Sequence, residues 1–334
     1  MASISLPQRA AAPAARWWSD RLVGPVLAAA GVLVLVAIAG MAIYVFKTAW
    51  PSFDHNGLSW FGTGGDANVQ LNQIYLSKPA HFVYTLRAWP LLYGTALCSG
   101  GAVLLGLVLS TFAAVFTVEF APPSIARVLE PVVRLLAGVP SVIYGLVGIL
   151  VLVPFVGNHL ISLHRKESVF YVVQLTGSSL LVATLILMIM IVPIMIAITV
   201  DALRSVPSSW TEGAMALGVN RWRVIWTISL RAARPAIVAG AVLSLARALG
   251  EAVMLAMVSG GVIFSPNPLD GLTFVFEPTQ TLAAAIVQGA EGFTVKAFGA
   301  TLFAFAAVIM VSSVLLSFTG WAIRRRLRRF GVQA

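Results

Sequence analysis

The sequence predicts an all-α integral membrane protein with six membrane-crossing helices, and three observations carry that prediction. Hydrophobic residues make up 59% of the 334 and charged residues only 10%, with a mean hydropathy of +0.92, whereas soluble domains carry about a quarter charged residues. A bilayer core takes about 20 apolar residues per helix, and six stretches meet that length: 22 to 46, 90 to 116, 132 to 154, 178 to 200, 236 to 260 and 297 to 323. The net charge of +10 is unevenly placed. Most of the Lys and Arg fall in segments that are cytoplasmic if the N-terminus is, as the positive-inside rule requires. A basic balance of that origin gives no reason to expect nucleic acid as a partner; membrane lipid is the expected surrounding.

Residues 1 to 21 are expected as a cytoplasmic tail and 22 to 46 as the first span. Arg9, Arg16 and Arg21 precede that span as they would a signal peptide. It is longer than the apolar region of a cleaved signal, about 7 to 15 residues, and Tyr44-Val45-Phe46-Lys47 offers no small-residue cleavage site. An external segment, 47 to 89, follows. Residues 90 to 323 hold five further spans, with a loop at 201 to 235 between the fourth and fifth. The tail 324 to 334 carries Arg324, Arg325, Arg326, Arg328 and Arg329, suited to anionic headgroups. Both termini then face the cytoplasm. The outer segments 47 to 89, 155 to 177 and 261 to 296 are docking surfaces for an external partner or ordinary solvated loops.

Several chemistries find no support. Cys98 is the single cysteine, so no internal disulfide forms. His55, His81, His159 and His164 lie in outer segments without a ligand spacing. No serine is accompanied by a base and an oxyanion motif. The chain has no G-x4-G-K-[ST] loop to hold ATP phosphates. No catalysis, metal or cofactor is expected of it.

The loop from Pro207 to Pro235, PSSWTEGAMALGVNRWRVIWTISLRAARP, is the most informative stretch. Ser209 and Glu212 have capping-box spacing and predict a helix start. Trp210, Ala214 and Leu217 recur on one helical face, and Gly218 offers the left-handed conformation that ends a helix. Asn220 is placed to cap a second helix, and Pro235 to bound it. Small residues Gly213, Ala214 and Ala216 permit close approach by another protein's groove. An amphipathic loop lying on the membrane fits the same Trp and Arg content.

The predicted fifth span contains Arg247 and Glu251, an i, i+4 pair on one helix face. Charges inside a membrane are costly and usually face a protein interior or a watery path. The pair either fixes helix packing or serves a path, where the Arg247 fork suits phosphate oxygens and Glu251 both holds Arg247 and keeps an anion from binding too tightly. In the third span, LLAGVPSVIYGLVG, Pro140 interrupts the hydrogen-bond ladder while Ser141 and Tyr144 supply hydroxyls beside the break. Gly138, Gly145 and Gly148 allow close helix contact.

These segments resemble a known family. Glu212-Gly213-Ala214, Gly218, Ile228 and Leu230 match the ABC-importer permease signature E-A-A-x3-G-x9-I-x-L-P, departing at Gly213 and at Arg231. RALGEA resembles the R-A-[IL]-G-E-T segment of phosphate-importer permeases, with Ala252 where Thr is usual, and LAGVPSVIYG resembles their L-A-G-I-P-S-V-[IV]-Y-G segment. The first span followed by AWPSFDHNGLSWFG looks like the PstC type.

The resemblance implies the type I ABC importer permease fold in a bacterial inner membrane. It implies a coupling helix over Glu212, Gly213, Ala214, Ala216, Leu217 and Gly218, and a phosphate path touching Arg247, Glu251, Ser141 and Tyr144. The implied partners are a second permease (PstA type), a cytoplasmic ATPase dimer (PstB type) and a periplasmic or lipid-anchored phosphate-binding protein (PstS type). A permease for sulfate or molybdate shares the coupling loop. An ion-driven secondary transporter leaves that loop unexplained, and no inverted repeat is visible to support it. A membrane signalling scaffold that binds a regulator through the loop transports nothing.

Overall fold

The computed structural model describes residues 15–78 and 81–328. Most of the expected N-terminal tail and the end of the basic tail lie outside the described residues. Among those described the protein is helical, with two isolated β-bridges, and six helices are long and apolar enough to cross a membrane.

Two units are distinguished, one ending at Lys47 and the other beginning at Thr48. The first is the body of α1 (Ala15–Asn56), which exposes many large apolar side chains between Val23 and Phe46, Leu33, Leu35 and Val36 among them.

The second unit holds everything else. It includes α2 (Ala67–Tyr75), started by the Asp66 carboxylate, which accepts from Asn68 N at 2.8 Å. The Asn68 side chain accepts from Ile263 N at 3.0 Å and donates to Ile263 O at 3.1 Å, pinning α2 to the segment that precedes the last span. α3 (Trp89–Phe120) starts with Pro90 in its first turn, where a missing N–H costs nothing. Then come α4 (Pro123–Ala137), α5 (Ser141–Leu160), α6 (Leu163–Ser168) and α7 (Leu180–Arg204). Next come the short α8 (Ser208–Ala216), α9 (Arg221–Leu249) and the short α10 (Val253–Val258). α11 (Leu282–Gln288) and α12 (Lys296–Arg328) complete the chain. The core lies where α3, α7 and α10 meet: Cys98 and Ala102, then Leu187, Met190 and Met195, then Met254, Leu255 and Val258, all buried.

The third span begins at Ser141 rather than at 132, because Pro140 has no N–H and disfavours a helical residue before it. What precedes is a separate amphipathic helix, α4, without a buried residue. The fifth span is Arg221–Leu249, displaced toward the N-terminus from the expected 236 to 260. Its first turns carry Arg221, Arg223, Arg231 and Arg234, which lower local hydropathy without weakening the helix. Pro235 does not bound it and lies inside; a π-turn, Ile225–Ser229, sits just upstream.

Candidate functional site

Two breaks in the helices build the first candidate site. α9 ends at Leu249, and Gly250 N–H closes onto Arg247 O at 3.1 Å while Glu251 N–H reaches Ala248 O at 3.3 Å. Arg247 thus occupies the last turn of α9, where aligned backbone carbonyls favour a cation. Glu251 lies past the helix end, in the short linker before α10. This differs from the expected continuous helix with both charges on one face: the regular ladder ends at Leu249, with Gly250 as its cap, between them. Among the described residues Arg247 and Glu251 form no direct ion pair.

The second break is Gly138-Val139-Pro140. Beyond it α5 packs closely on α10, because Gly145 and Gly148 have no side chain there: a β-carbon at Gly145 would lie 3.1 Å from Met254 Cα, and one at Gly148 would lie 2.7 Å from a Val258 methyl. That packing brings Ser141 and Tyr144, in the first turn of α5, near Glu251 and Arg247 respectively. The Tyr144 hydroxyl donates to Leu136 O at 2.9 Å, adding a second donor to a carbonyl that also accepts from Val139 N at 3.2 Å. Ser141, Tyr144 and Glu251 are half-buried and Arg247 is exposed. Arg247, Glu251, Ser141 and Tyr144, more than 100 positions apart as two groups, are therefore brought together. The cluster offers an exposed guanidinium fork and two hydroxyl-bearing side chains beside a carboxylate, a set that suits reversible contact with an oxyanion.

The second candidate site is the α8 loop. α8 starts at Ser208 with Pro207 as its N-cap and no side-chain cap, so the expected Ser209–Glu212 capping box does not form; Ser208 already stands inside the helix. Its end is as expected. Gly218 has φ +81, Gly218 N donates to Met215 O at 2.9 Å and Val219 N to Ala214 O at 3.1 Å, the paired bonds of a Schellman stop. Asn220 Oδ1 then accepts from Trp222 N at 3.0 Å and starts α9. No residue of α8 is buried; Trp210 and Leu217 are exposed, and Ala214 half-exposed. Arg221 anchors the loop to the end of α3, 3.7 Å from Glu119 Oε2 and 4.9 Å over the Phe120 ring.

Sequence reasoning missed a third group. On α4, Arg127, Glu130 and Arg134 share one face, and Glu130 pairs with Arg204 of α7 through both carboxylate oxygens. The 3.6-residue spacing of those charges, between Pro123 and Pro140, was the available signal.

Six helices long and apolar enough to cross a membrane carry these features. Residues 102–329 match the family described as the binding-protein-dependent transport system inner membrane component, and the chain belongs to it. It is thus a multi-pass inner-membrane permease of an ABC transporter, a non-catalytic subunit whose family works with an ATPase and a binding protein. Among relatives, it is 33% identical over 252 residues to the probable ABC transporter permease protein YqgH of Bacillus subtilis (strain 168), covering 75% of each chain. It is 34% identical over 249 residues, 72% of each chain, to the phosphate transport system permease protein PstC 1 of Mycobacterium tuberculosis (strain ATCC 25618 / H37Rv). The fold is similar to a chain of a bacterial alginate ABC transporter, solved in complex with an alginate pentasaccharide-bound periplasmic protein. That match has TM-score 0.57 and 17% identity, over 95% of this chain and 100% of the other.

Proposed function

We propose that the chain is the PstC-type permease of a phosphate importer, half of a pathway completed by a second, PstA-type permease. A PstB-type ATPase dimer docks on α8, and a PstS-type binding protein delivers phosphate to the outer segments. Both termini are cytoplasmic in this reading, and α8 lies on the cytoplasmic side. The supporting observation is the convergence of Arg247, Glu251, Ser141 and Tyr144 at two helix breaks. Relatives named for phosphate transport support the cargo.

Arg247 takes the anion through its donor fork, as the partly buried carboxylate of Glu251, beside Ser141, offsets part of the attraction so that the anion leaves again. A single arginine in a water-filled path binds weakly, as transport requires. ATP-driven closure moves α8, and the force passes into α9, whose far end is the Arg247 turn. Residues Glu212, Gly213, Ala214, Ala216, Leu217 and Gly218 form the moving contact.

The test is uptake of radiolabelled phosphate into vesicles holding the reconstituted complex, with Arg247→Ala beside the native chain and sulfate as competitor. ATP-dependent uptake, lost in the variant and indifferent to sulfate, is expected. ATP-dependent uptake of another anion replaces the cargo and keeps the architecture. Uptake without ATP removes the importer mechanism.

A further inference from the structure

The charged face of α4 and the end of α7 enclose an open cleft of about 910 Å³, lined by Arg127, Glu130, Arg134 and Arg204, with Pro123 and Leu135 at its edges. It lies at the same end of the protein as α8, since α7 ends at Arg204 and α8 starts at Ser208. The ionic bookkeeping inside it is uneven. Both oxygens of Glu130 are taken by Arg204, with Arg204 Nη1 at 3.0 Å from Oε2. Among the described residues, Arg127 and Arg134 have no ion-pair partner. The other carboxylate nearby, Asp201, lines a smaller neighbouring pocket together with Leu129, Val133 and Arg134, and among the described residues it makes no ion pair with Arg134. Two guanidinium groups are therefore left facing one concave space with their donors free.

We infer that this cleft is a second anion site, separate from the Arg247 cluster, which takes a phosphoryl group through Arg127 and Arg134. Seven residues separate the two on α4, about 10.5 Å of helix rise, a span that two long Arg stems close around one tetrahedral group. Planar guanidinium forks match phosphoryl oxygens two at a time. The free donors and the concavity argue for a ligand held inside the cleft. The Glu130–Arg204 pair closes one wall and limits the net charge, so that an anion is drawn in without being trapped. The group is supplied either by free phosphate that has passed the Arg247 cluster or by the headgroup of an anionic lipid. The free-phosphate source rests on the cargo proposed above.

The experiment is arginine-selective dicarbonyl labelling of the whole complex in nanodiscs, read residue by residue by mass spectrometry, with Arg165 in α6 as reference. An anion held by two arginines in an open cleft binds with a Kd on the order of 1 mM. About 10 mM inorganic phosphate then lowers the labelling of Arg127 and Arg134 about tenfold in phosphatidylcholine discs, by simple occupancy, and leaves Arg165 unchanged. That result supports free phosphate as the ligand. Labelling already low in discs containing phosphatidylglycerol, with no further effect of phosphate, supports the lipid headgroup. Equal labelling in every arm, or an equal fall at Arg165 from ionic screening, overturns the site. Phosphate uptake measured in parallel separates the two readings. Uptake with unprotected arginines condemns the cleft site alone, whereas protection without phosphate uptake condemns the cargo and keeps the site.

Discussion

Gly213 and Gly218 stand five residues apart in the same loop, and the structure predicts effects of opposite sign when each becomes alanine. Neither has any atom within 4 Å of where a β-carbon would sit, so sterics with neighbours cancel and only backbone conformation remains. Gly218 has φ +81, where an L side chain costs about 1–2 kcal/mol. Gly213 lies inside α8, where alanine is favoured over glycine by about 1 kcal/mol. Both changes act on the bonds Gly218 N to Met215 O and Val219 N to Ala214 O. Hydrogen exchange of those two amides in the purified complex reads the local opening free energy directly. Gly218→Ala should speed their exchange by roughly 5- to 30-fold, and Gly213→Ala should slow it by roughly 5-fold, at 1.4 kcal/mol per decade. The affinity of the ATPase for the permease should follow the same order. Exchange unchanged or slowed in Gly218→Ala would refute the reasoning, since it would mean that the stop does not hold α8 in place.

Three further outcomes follow from the geometry around α4 and α5. Tyr144→Phe leaves the Leu136 carbonyl without its 2.9 Å donor, at a cost of about 0.5–1.5 kcal/mol; a lowered melting midpoint with reduced phosphate uptake is expected, and no change in either would show that the bond across the break holds nothing. Gly148→Ala drives a methyl to 2.7 Å from Val258, an overpacking cost of about 1–3 kcal/mol, so the yield of monodisperse complex should fall, while Gly100→Ala, with open space around it, should not lower it. The Arg204 hydrogen bond, with its charge, holds the Glu130 carboxyl below the usual carboxylate range. A lowered folded value stabilises above the ordinary pKa of about 4.3 and is lost as pH falls through the folded value. The melting difference between native and Glu130→Gln proteins should therefore be present at pH 7 and shrink below about pH 4.3; it should also be small, because the pair is partly exposed. A difference that grows on acidification would contradict the pairing.

What was legible in the sequence divides along a physical line. Bilayer thickness imposes one length on every span, so six apolar runs were visible however their side chains pack. The Gly218 stop and the Asn220 cap were legible because each is a local device, complete within a few residues. The Ser209–Glu212 box was equally local and still failed, since Pro207 caps the helix two residues earlier and places Ser209 within its first turn. Span ends were misplaced wherever charge and helix coincide: Arg221 to Arg234 lower hydropathy while the helix continues, and Arg127, Glu130 and Arg134 mark a separate helix in front of a proline.

The split between Arg247 and Glu251 was the least legible feature, and the reason is tertiary. A-L-G-E reads as a helix continuing through one glycine, a cost of only about 1 kcal/mol. The chain breaks there because α10 takes its direction from α5, where Gly145 and Gly148 admit Met254 and Val258. Those two glycines lie more than 100 positions away from the segment whose course they set. The break separates a cation from the carboxylate four residues on, so Glu251 sits beside Ser141 and, among the described residues, Arg247 forms no ion pair. An unbroken helix would have let the two charges neutralise each other. The packing of α5 on α10 is thus what leaves an arginine available to an anion, and Gly148→Ala should lower phosphate uptake per assembled complex as well as the yield of complex.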